Sequence, residues 1–188
     1  MREKADSWTK INSEQIADCE VFTVHKGTFQ RDRDGERAEF YLIDNPDWVN
    51  VIAVTKEGEA VFIEQYRPGS ESMIFEIPGG MVDAGGDPEA TVRRELAEET
   101  GYTCGRLSRI GCSYPNPAQQ GNQLFHYLAL DCEPTRDVKF DQHESIVTRL
   151  VPLREIGELV HNGTITHSLA IAAIYYAQRY LKDEGFLA

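Results

Sequence analysis

A capped helix that carries three glutamates on one face is the feature that most constrains this chain. Asp87 is a strong N-cap, Pro88 suits the first turn of a helix, and Gly101 is typical of the residue that ends one. The sequence therefore predicts a helix over residues 88–100. Its two large apolar residues stand four positions apart, so they share the face that must pack against a core.

The three acidic residues Glu95, Glu98 and Glu99 stand at positions i, i+3 and i+4 of this helix. They share one helical face about 5.4 Å long, and like charges so placed repel each other unless a cation lies between them. Mg²⁺ suits this position, because it binds through one or two carboxylates and keeps water and phosphate oxygens in its shell. The alternative is a solvated charged face, with Glu89 and Arg93 as an ordinary ion pair.

A pair of glycines, Gly79 and Gly80, precedes the helix. Glycine lets the backbone approach a ligand closely, because it has no Cβ atom. Taken alone, the pair is explained better by an ordinary turn than by a binding loop. The residues that follow favour the binding loop instead.

The spacing of these elements resembles the Nudix box, the signature of the Nudix hydrolases. Gly80, five residues, Gly86, seven residues and the run from Arg94 to Tyr102 follow that pattern. Gly86 departs from it, because the family has a glutamate there that pairs with the box arginine, here Arg94. The departure concerns the support of Arg94 more than the three helical glutamates.

The resemblance implies a metal site and its ligands. Glu95, Glu98 and Glu99 would bind Mg²⁺, with Mn²⁺ as a substitute, and the Gly79 carbonyl would be a further ligand. Glu98 is counted among the catalytic residues as well.

Three further stretches resemble the branch of the family that hydrolyses ADP-ribose and other nucleoside diphosphate sugars. They are residues 61–67, residues 76–80, and residues 163–165 before an alanine-rich helix. The likeness implies Mg²⁺-dependent hydrolysis of the diphosphate bond of a small nucleotide sugar, which yields a nucleoside monophosphate and a sugar phosphate. It also implies that Arg67 and Glu76 bind the substrate. For Arg67, whose guanidinium suits phosphate oxygens, a surface ion pair is the alternative.

A polar loop at residues 141–146 supplies the candidate general base. In this branch, a glutamate lies two residues before an apolar strand start and acts as base or extra metal ligand, and Glu144 fits that spacing. Asp141 is the other candidate, and both could instead be solvated loop acids. The five histidines show no zinc-binding spacing and are treated as structural or surface residues, except His143 beside Glu144.

Two other functions stay open at this point. One is a Nudix hydrolase of nucleoside triphosphates or capped RNA ends, and the other is a Nudix-like module that binds a nucleotide without cleaving it. The net charge of −12, from 19 basic and 31 acidic residues, disfavours nucleic acid or an anionic membrane as a partner. The three intact glutamates argue against a module without catalysis.

Composition indicates a chain with a substantial core. With 188 residues, 41% of them hydrophobic, it can bury a large apolar area. The four cysteines form no C-x-x-C pair, which favours neither a zinc site nor a disulfide framework and points to the reducing cytoplasm. Residues 1–10 are polar, and the longest apolar run, residues 169–177, is too short to span a membrane.

The predicted elements give an α/β fold: the Nudix fold, an α/β/α sandwich with a mixed β-sheet, preceded by a small N-terminal β-unit. Residues 1–47 form that unit, which has too few apolar side chains for its own core, and residues 48–188 form the Nudix domain. By resemblance, the small unit builds a homodimer and is exchanged between subunits. Strands are predicted at 21–25, 39–43, 48–54, 60–66, 74–77, 124–130 and 146–151, and helices at 88–100, 153–160 and 166–181.

Overall fold

The computed structural model describes residues 5–140 and 145–183, which form two compact units. The smaller unit consists of the described residues up to Pro46 together with Tyr114–Asn122. The Ile43 N–H donates to the Gln119 carbonyl at 2.8 Å, which ties the later segment to the earlier one. The larger unit consists of Asp47–Ser113 and the described residues from Gln123 onward.

A three-stranded antiparallel sheet makes up most of the smaller unit. Its strands are β1 (Trp8–Asp18), β2 (Thr23–Arg31) and β3 (Arg37–Asp44), in the order β1-β2-β3. Trp8 and Phe29 each meet Phe40 edge to face, with ring centroids 5.6 and 5.3 Å apart. The sequence did not predict β1, because this strand is polar, almost wholly exposed and interrupted by two register shifts, so it lacks an alternating pattern.

The larger unit is built on a mixed sheet of eight strands. The strands β11, β5, β4, β10 and β8 lie side by side in that order, while β6 pairs with β5, β7 with β4 and β9 with β10. The β4 and β10 strands are parallel, and the remaining pairs are antiparallel. The bounds are β4 Trp48–Thr55, β5 Glu59–Arg67, β6 Ser72–Glu76, β7 Gly79–Met81, β8 Tyr102–Thr103, β9 Arg106–Ser113, β10 Leu124–Pro134 and β11 Val147–Pro152.

Three helices cover this sheet: α1 (Pro88–Thr100), α2 (Ile156–His161) and α3 (Ser168–Asp183). A short 3-10 turn, Leu153–Glu155, leads into α2. None of the described helices is long and apolar enough to cross a membrane.

The helix α1 begins and ends where its capping residues predict. The Asp87 side chain accepts the Glu89 N–H at 3.1 Å, and Gly101 takes the left-handed conformation at φ 75° while its N–H donates to the Ala97 carbonyl. These caps satisfy backbone groups that a helix end leaves unpaired. These caps fix the residues at which α1 begins and ends.

Alternating side chains of the sheet divide the larger unit into two apolar cores. On β4, Val49, Val51 and Ala53 join the core that contains Val92 and Leu96 of α1. Their neighbours Ile52 and Val54 join the opposite core, to which α2 and α3 contribute Ile156, Ala170, Ala173 and Ile174. The helices therefore lie on both sides of a mixed sheet, which confirms the predicted α/β/α sandwich.

A buried polar chain crosses the core on the α3 side. His126 of β10 is fully buried, and its ring stacks on Tyr176 of α3 at 5.1 Å. Its Nδ1 lies 2.8 Å from Asn50 Oδ1, its Nε2 lies 2.9 Å from the Ser113 hydroxyl, and the Asn50 amide donates to the Leu169 carbonyl. These partners suit the neutral ring with its proton on Nδ1. Burial lowers the pKa of His126 to about 4.

This buried histidine makes the free energy of unfolding depend on pH. The unfolded chain binds a proton near pH 6.5 and the folded chain only near pH 4, so stability is lost as the pH falls through that window. The loss attributable to His126 is about 2 kcal/mol between about pH 7.5 and pH 5. Urea unfolding of wild type and His126→Gln at both pH values measures it. An equal acid sensitivity of the two proteins would contradict the assignment.

Candidate active site

The helix α1 is joined to β7 by a buried carboxylate. Glu99 is 3% exposed, and the Gly79 N–H donates to its Oε2 at 3.0 Å. Gly79 is itself pressed against β4, because a Cβ atom there would lie 2.4 Å from the Val49 carbonyl oxygen and 3.0 Å from Asn50 Cα. Only glycine fits between the backbone of β4 and the glutamate.

The next glycine is in contact with a second carboxylate of α1. A Cβ atom on Gly80 would lie 2.2 Å from Glu95 Oε1. The Glu95 side chain is 15% exposed, whereas that of Glu98 is 35% exposed and is the most open of the three. The glycine pair and two of the glutamates therefore meet directly, as a binding site requires and an ordinary turn does not.

Arg94 neutralises part of this acidic face. Its two terminal nitrogens donate to Glu95 Oε1 at 2.7 Å and to Glu98 Oε2 at 2.6 Å. Gly86 stands where the box has a glutamate, so Arg94 takes its partners from its own helix. Gly86 closes a tight turn with its N–H on the Asp83 carbonyl at 2.8 Å.

The residues of this face fit a hard divalent cation by their chemistry. Carboxylate and carbonyl oxygens are the donors that Mg²⁺ prefers. Across residues 5–140 and 145–183, no three His, Cys, Asp or Glu side chains converge on one point. Arg94 and the Gly79 N–H hold several of the carboxylate oxygens instead. A movement of the Arg94 side chain alone would release Glu95 Oε1 and Glu98 Oε2 from Arg94.

A cleft of about 800 Å³ lies in front of these glutamates, inside the larger unit. Glu95, Glu99 and the two glycines form one part of its wall. A second part is apolar and contains Trp48, Met81 and Leu124, which lie in one row across β4, β7 and β10. The remaining wall comes from β5, β6 and the start of α3 and contains Gln65, Arg67, Ile74, Glu76, Thr166, His167 and Ser168.

A second charged group lies in this last part of the wall. Glu76 is 1% exposed, and its two oxygens bind Arg67 Nε at 2.6 Å and His167 Nδ1 at 2.9 Å. Burial by itself raises the pKa of the Glu76 carboxyl, but the bonds from His167 and Arg67 outweigh it and leave the pKa below its ordinary value. The carboxylate therefore stays ionised and holds Arg67 at the cleft.

The structure brings together most, but not all, of the residues selected from the sequence. Arg67, Glu76, Gly79, Glu95 and Glu99 line one cleft, while Glu98 lies beside it on the same helix, bound to Arg94.

The candidate bases Glu144 and Asp141, like His143, lie outside the described residues. Sequence reasoning treated His167 as structural or surface. The structure places it in the cleft wall, bound to the distant Glu76, and no local spacing signals that contact.

The NUDIX domain family matches residues 45–173 of this chain. The chain belongs to the Nudix family. The match spans the glycine pair, the glutamates of α1 and both sides of the cleft. The Nudix chain is a hydrolase related to ADP-ribose and sugar-nucleotide pyrophosphatases.

Three curated relatives of the chain carry different names. The chain is 32% identical over 146 residues to an ADP-ribose pyrophosphatase of Bacillus subtilis (strain 168), which covers 77% of this chain and 79% of the relative. It is 30% identical, with the same coverage, to a methanol dehydrogenase activator of Bacillus methanolicus. A GDP-mannose pyrophosphatase of Yersinia pestis (strain Pestoides F) is 26% identical over 170 residues, or 84% of this chain and 85% of the relative.

A solved structure confirms the Nudix fold. The crystal structure of an ADP compounds hydrolase superposes with a TM-score of 0.86 at 21% identity, and the match covers 98% of this chain and 100% of that one. The fold is therefore shared over nearly the whole length.

Gly79 and the box glycine Gly80 are predicted to respond differently to substitution by alanine. Gly79→Ala places a Cβ atom against the rigid backbone of β4, so it should lower the free energy of unfolding by about 1–3 kcal/mol. Gly80→Ala meets only the end of the Glu95 side chain, which can move, so it should keep the stability within about 1 kcal/mol and lose hydrolysis. Urea denaturation and activity at saturating Mg²⁺ check both, and equal destabilisation by the two variants would refute the distinction.

The turn before α1 gives a matched pair of variants. Gly85 has φ 74°, a left-handed conformation, whereas Gly86 does not, and a Cβ atom on Gly86 would lie 3.0 Å from the Asp83 carbonyl oxygen. Gly85→Glu should therefore lower the free energy of unfolding by about 1–2 kcal/mol more than Gly86→Glu, which also offers Arg94 a new partner. Thermal unfolding of both proteins decides, and a larger loss in Gly86→Glu would reverse the account.

Proposed function

We propose that this Nudix hydrolase cleaves the diphosphate bond of a nucleoside diphosphate sugar such as ADP-ribose, with Mg²⁺, to a nucleoside monophosphate and a sugar phosphate. The observation that carries the proposal is one cleft with two charged walls, the glutamates of α1 and the guanidinium of Arg67. A diphosphate needs both, because its charge must be neutralised on more than one side. The recorded names of the Bacillus subtilis and Yersinia pestis relatives support the same class of substrate.

Each charged residue has a role in this proposal. Glu95, Glu98, Glu99 and the Gly79 carbonyl would hold Mg²⁺, or Mn²⁺ in its place. When bound, such an ion neutralises phosphate charge and lowers the pKa of a coordinated water. Glu144 would deprotonate the attacking water, with Asp141 as the other candidate. Glu98, the most exposed of the three, would act in catalysis as well as in binding.

Arg67 is suited to binding phosphate. Its Nε atom is bound to Glu76, and its side chain is 48% exposed. The two terminal nitrogens of Arg67 make no hydrogen bond to the residues that the structure describes, so they can donate to phosphate oxygens. Glu76 acts here through Arg67, since both of its oxygens are bound to protein side chains, those of Arg67 and His167. His167 completes this arrangement from the start of α3.

A substrate panel tests the function. The enzyme is assayed with Mg²⁺ for AMP or GMP release from ADP-ribose, GDP-mannose, NAD and dinucleoside polyphosphates. Nucleoside triphosphates are assayed for release of nucleoside monophosphate with pyrophosphate and for release of phosphate. The proposal expects nucleotide sugars to have the highest kcat/KM. Preference for triphosphates, or nucleotide binding without turnover, would replace it with one of the other two functions.

Glutamine variants separate metal ligand from base. Glu98→Gln should lower kcat by orders of magnitude and weaken Mn²⁺ binding, because it removes a charge from the metal face. Glu144→Gln should lower kcat by about 10²- to 10⁴-fold and leave Mn²⁺ binding nearly intact. Calorimetric titration of Mn²⁺ beside the kcat values measures the contrast. If Asp141→Asn loses activity while Glu144→Gln does not, the base is Asp141.

We propose in addition that the chain works as a homodimer in the cytoplasm. The smaller unit leaves large apolar side chains exposed, among them Ile11 at 50%, Ile16 at 48% and Tyr41 at 59%. Such residues are the usual components of an interface between subunits. The reducing compartment is supported by four free cysteines, Cys19, Cys104, Cys112 and Cys132.

A single charge tests the dimer. Light scattering should give about twice the chain mass of 21.2 kDa for wild type. Ile16→Glu adds a charge to an exposed position and should leave folding intact but shift the mass toward one chain. Gln178→Glu, on the exposed face of α3, is the matched control and should stay dimeric. A wild-type monomer at micromolar concentration would exclude the proposal.

A further inference from the structure

Gln65 lies in the cleft next to both residues of the Arg67–Glu76 pair. In the register of β5 and β6, Ile63 faces Glu76, Gln65 faces Ile74, and Arg67 faces Ser72. Alternate residues share one face of a strand, so Gln65, Arg67 and Glu76 all point into the cleft. The Arg67–Glu76 ion pair therefore crosses the position of Gln65 and its partner Ile74, which lie between the two charged residues on the same face. A phosphate held by Arg67 lies within reach of the Gln65 amide.

This glutamine is largely buried, and its amide reaches the cleft without a hydrogen-bond partner among the described residues. Gln65 is 7% exposed, and its side chain makes no hydrogen bond to the residues that the structure describes. An amide that reaches a cleft wall with no protein partner is available to bind a ligand there. It offers one acceptor and two donors side by side.

The surroundings distinguish a sugar from a base. The flat apolar row of Trp48, Met81 and Leu124 adjoins the glycine pair and suits a purine ring. The part of the wall that contains Gln65 has Ile74 opposite it and also carries the hydroxyl groups of Thr166 and Ser168. Neighbouring hydroxyl groups of a sugar supply both a donor and an acceptor, which matches the amide.

We infer that Gln65 recognises the hydroxyl groups of the sugar attached to the distal phosphate, and that it sets the preference of this enzyme for sugar-bearing diphosphates. The inference rests on the proposed function and adds a specificity-determining residue to it. Removal of the amide deprives the sugar hydroxyls of this partner, which weakens the transition state for sugar substrates alone.

Three substrates isolate the effect. ADP-ribose has base and sugar, the β-methyl ester of ADP has the base and diphosphate without the sugar, and IDP-ribose has the sugar with a changed base edge. Gln65→Met, which is unbranched and of similar length, should lower kcat/KM for ADP-ribose and IDP-ribose by about tenfold to a hundredfold. It should leave kcat/KM for the methyl ester within about twofold of wild type. Tyr66→Phe, the exposed neighbour on the opposite face of β5, is the control and should change none of the three.

Each outcome decides the matter. An equal loss on all three substrates, or no loss, overturns the inference while the proposed function stands. If Gln65→Met removes only the difference in kcat/KM between ADP-ribose and IDP-ribose, Gln65 recognises the base, and the inference is overturned as well. If wild type hydrolyses none of the three, the proposed function fails and the inference with it. Gln65→Asn, which keeps an amide but shortens it, provides the same test should Gln65→Met not fold.

Discussion

The contact between Glu99 and the Gly79 N–H is the constraint on which the site depends. It joins α1, held at both ends by its caps, to the short strand β7, whose Gly79 lies against β4 without room for a side chain. Gly80, the residue after Gly79, is likewise in contact with a glutamate of α1, Glu95. A helix that carries three carboxylates is thereby fixed at the edge of a cleft instead of facing solvent, which distinguishes a binding site from a charged surface.

Each side of the cleft pairs its own opposite charges, and a ligand would bridge the two sides. On one wall, Arg94 holds Glu95 and Glu98, and on another, the buried Glu76 holds Arg67 and His167. Both arrangements satisfy groups that would otherwise be costly near a low-dielectric core. In the proposed function, a diphosphate with its metal would exchange with the first set and add to the second, so binding would not require the backbone to be rebuilt.

Local signals explain which parts of this structure the sequence could predict. The caps of α1 act on neighbouring residues, so the helix bounds and the common face of its glutamates follow from sequence alone. The strand β1 escaped prediction because bulges and polar residues remove its periodicity. The strand β9, Arg106–Ser113, was missed as well, and the role of His167 depends on β6 and α3 meeting across the cleft. Contacts between distant segments leave no pattern in a single sequence.

Crystals grown with Mn²⁺ and a methylene-bridged ADP-ribose analogue would test the central claim most directly. Anomalous density should place manganese on carboxylate oxygens of Glu95, Glu98 and Glu99 and on the Gly79 carbonyl, with Arg94 turned away and the diphosphate bound to Arg67. Manganese bound elsewhere, with Arg94 still joined to Glu95 and Glu98, would contradict the account.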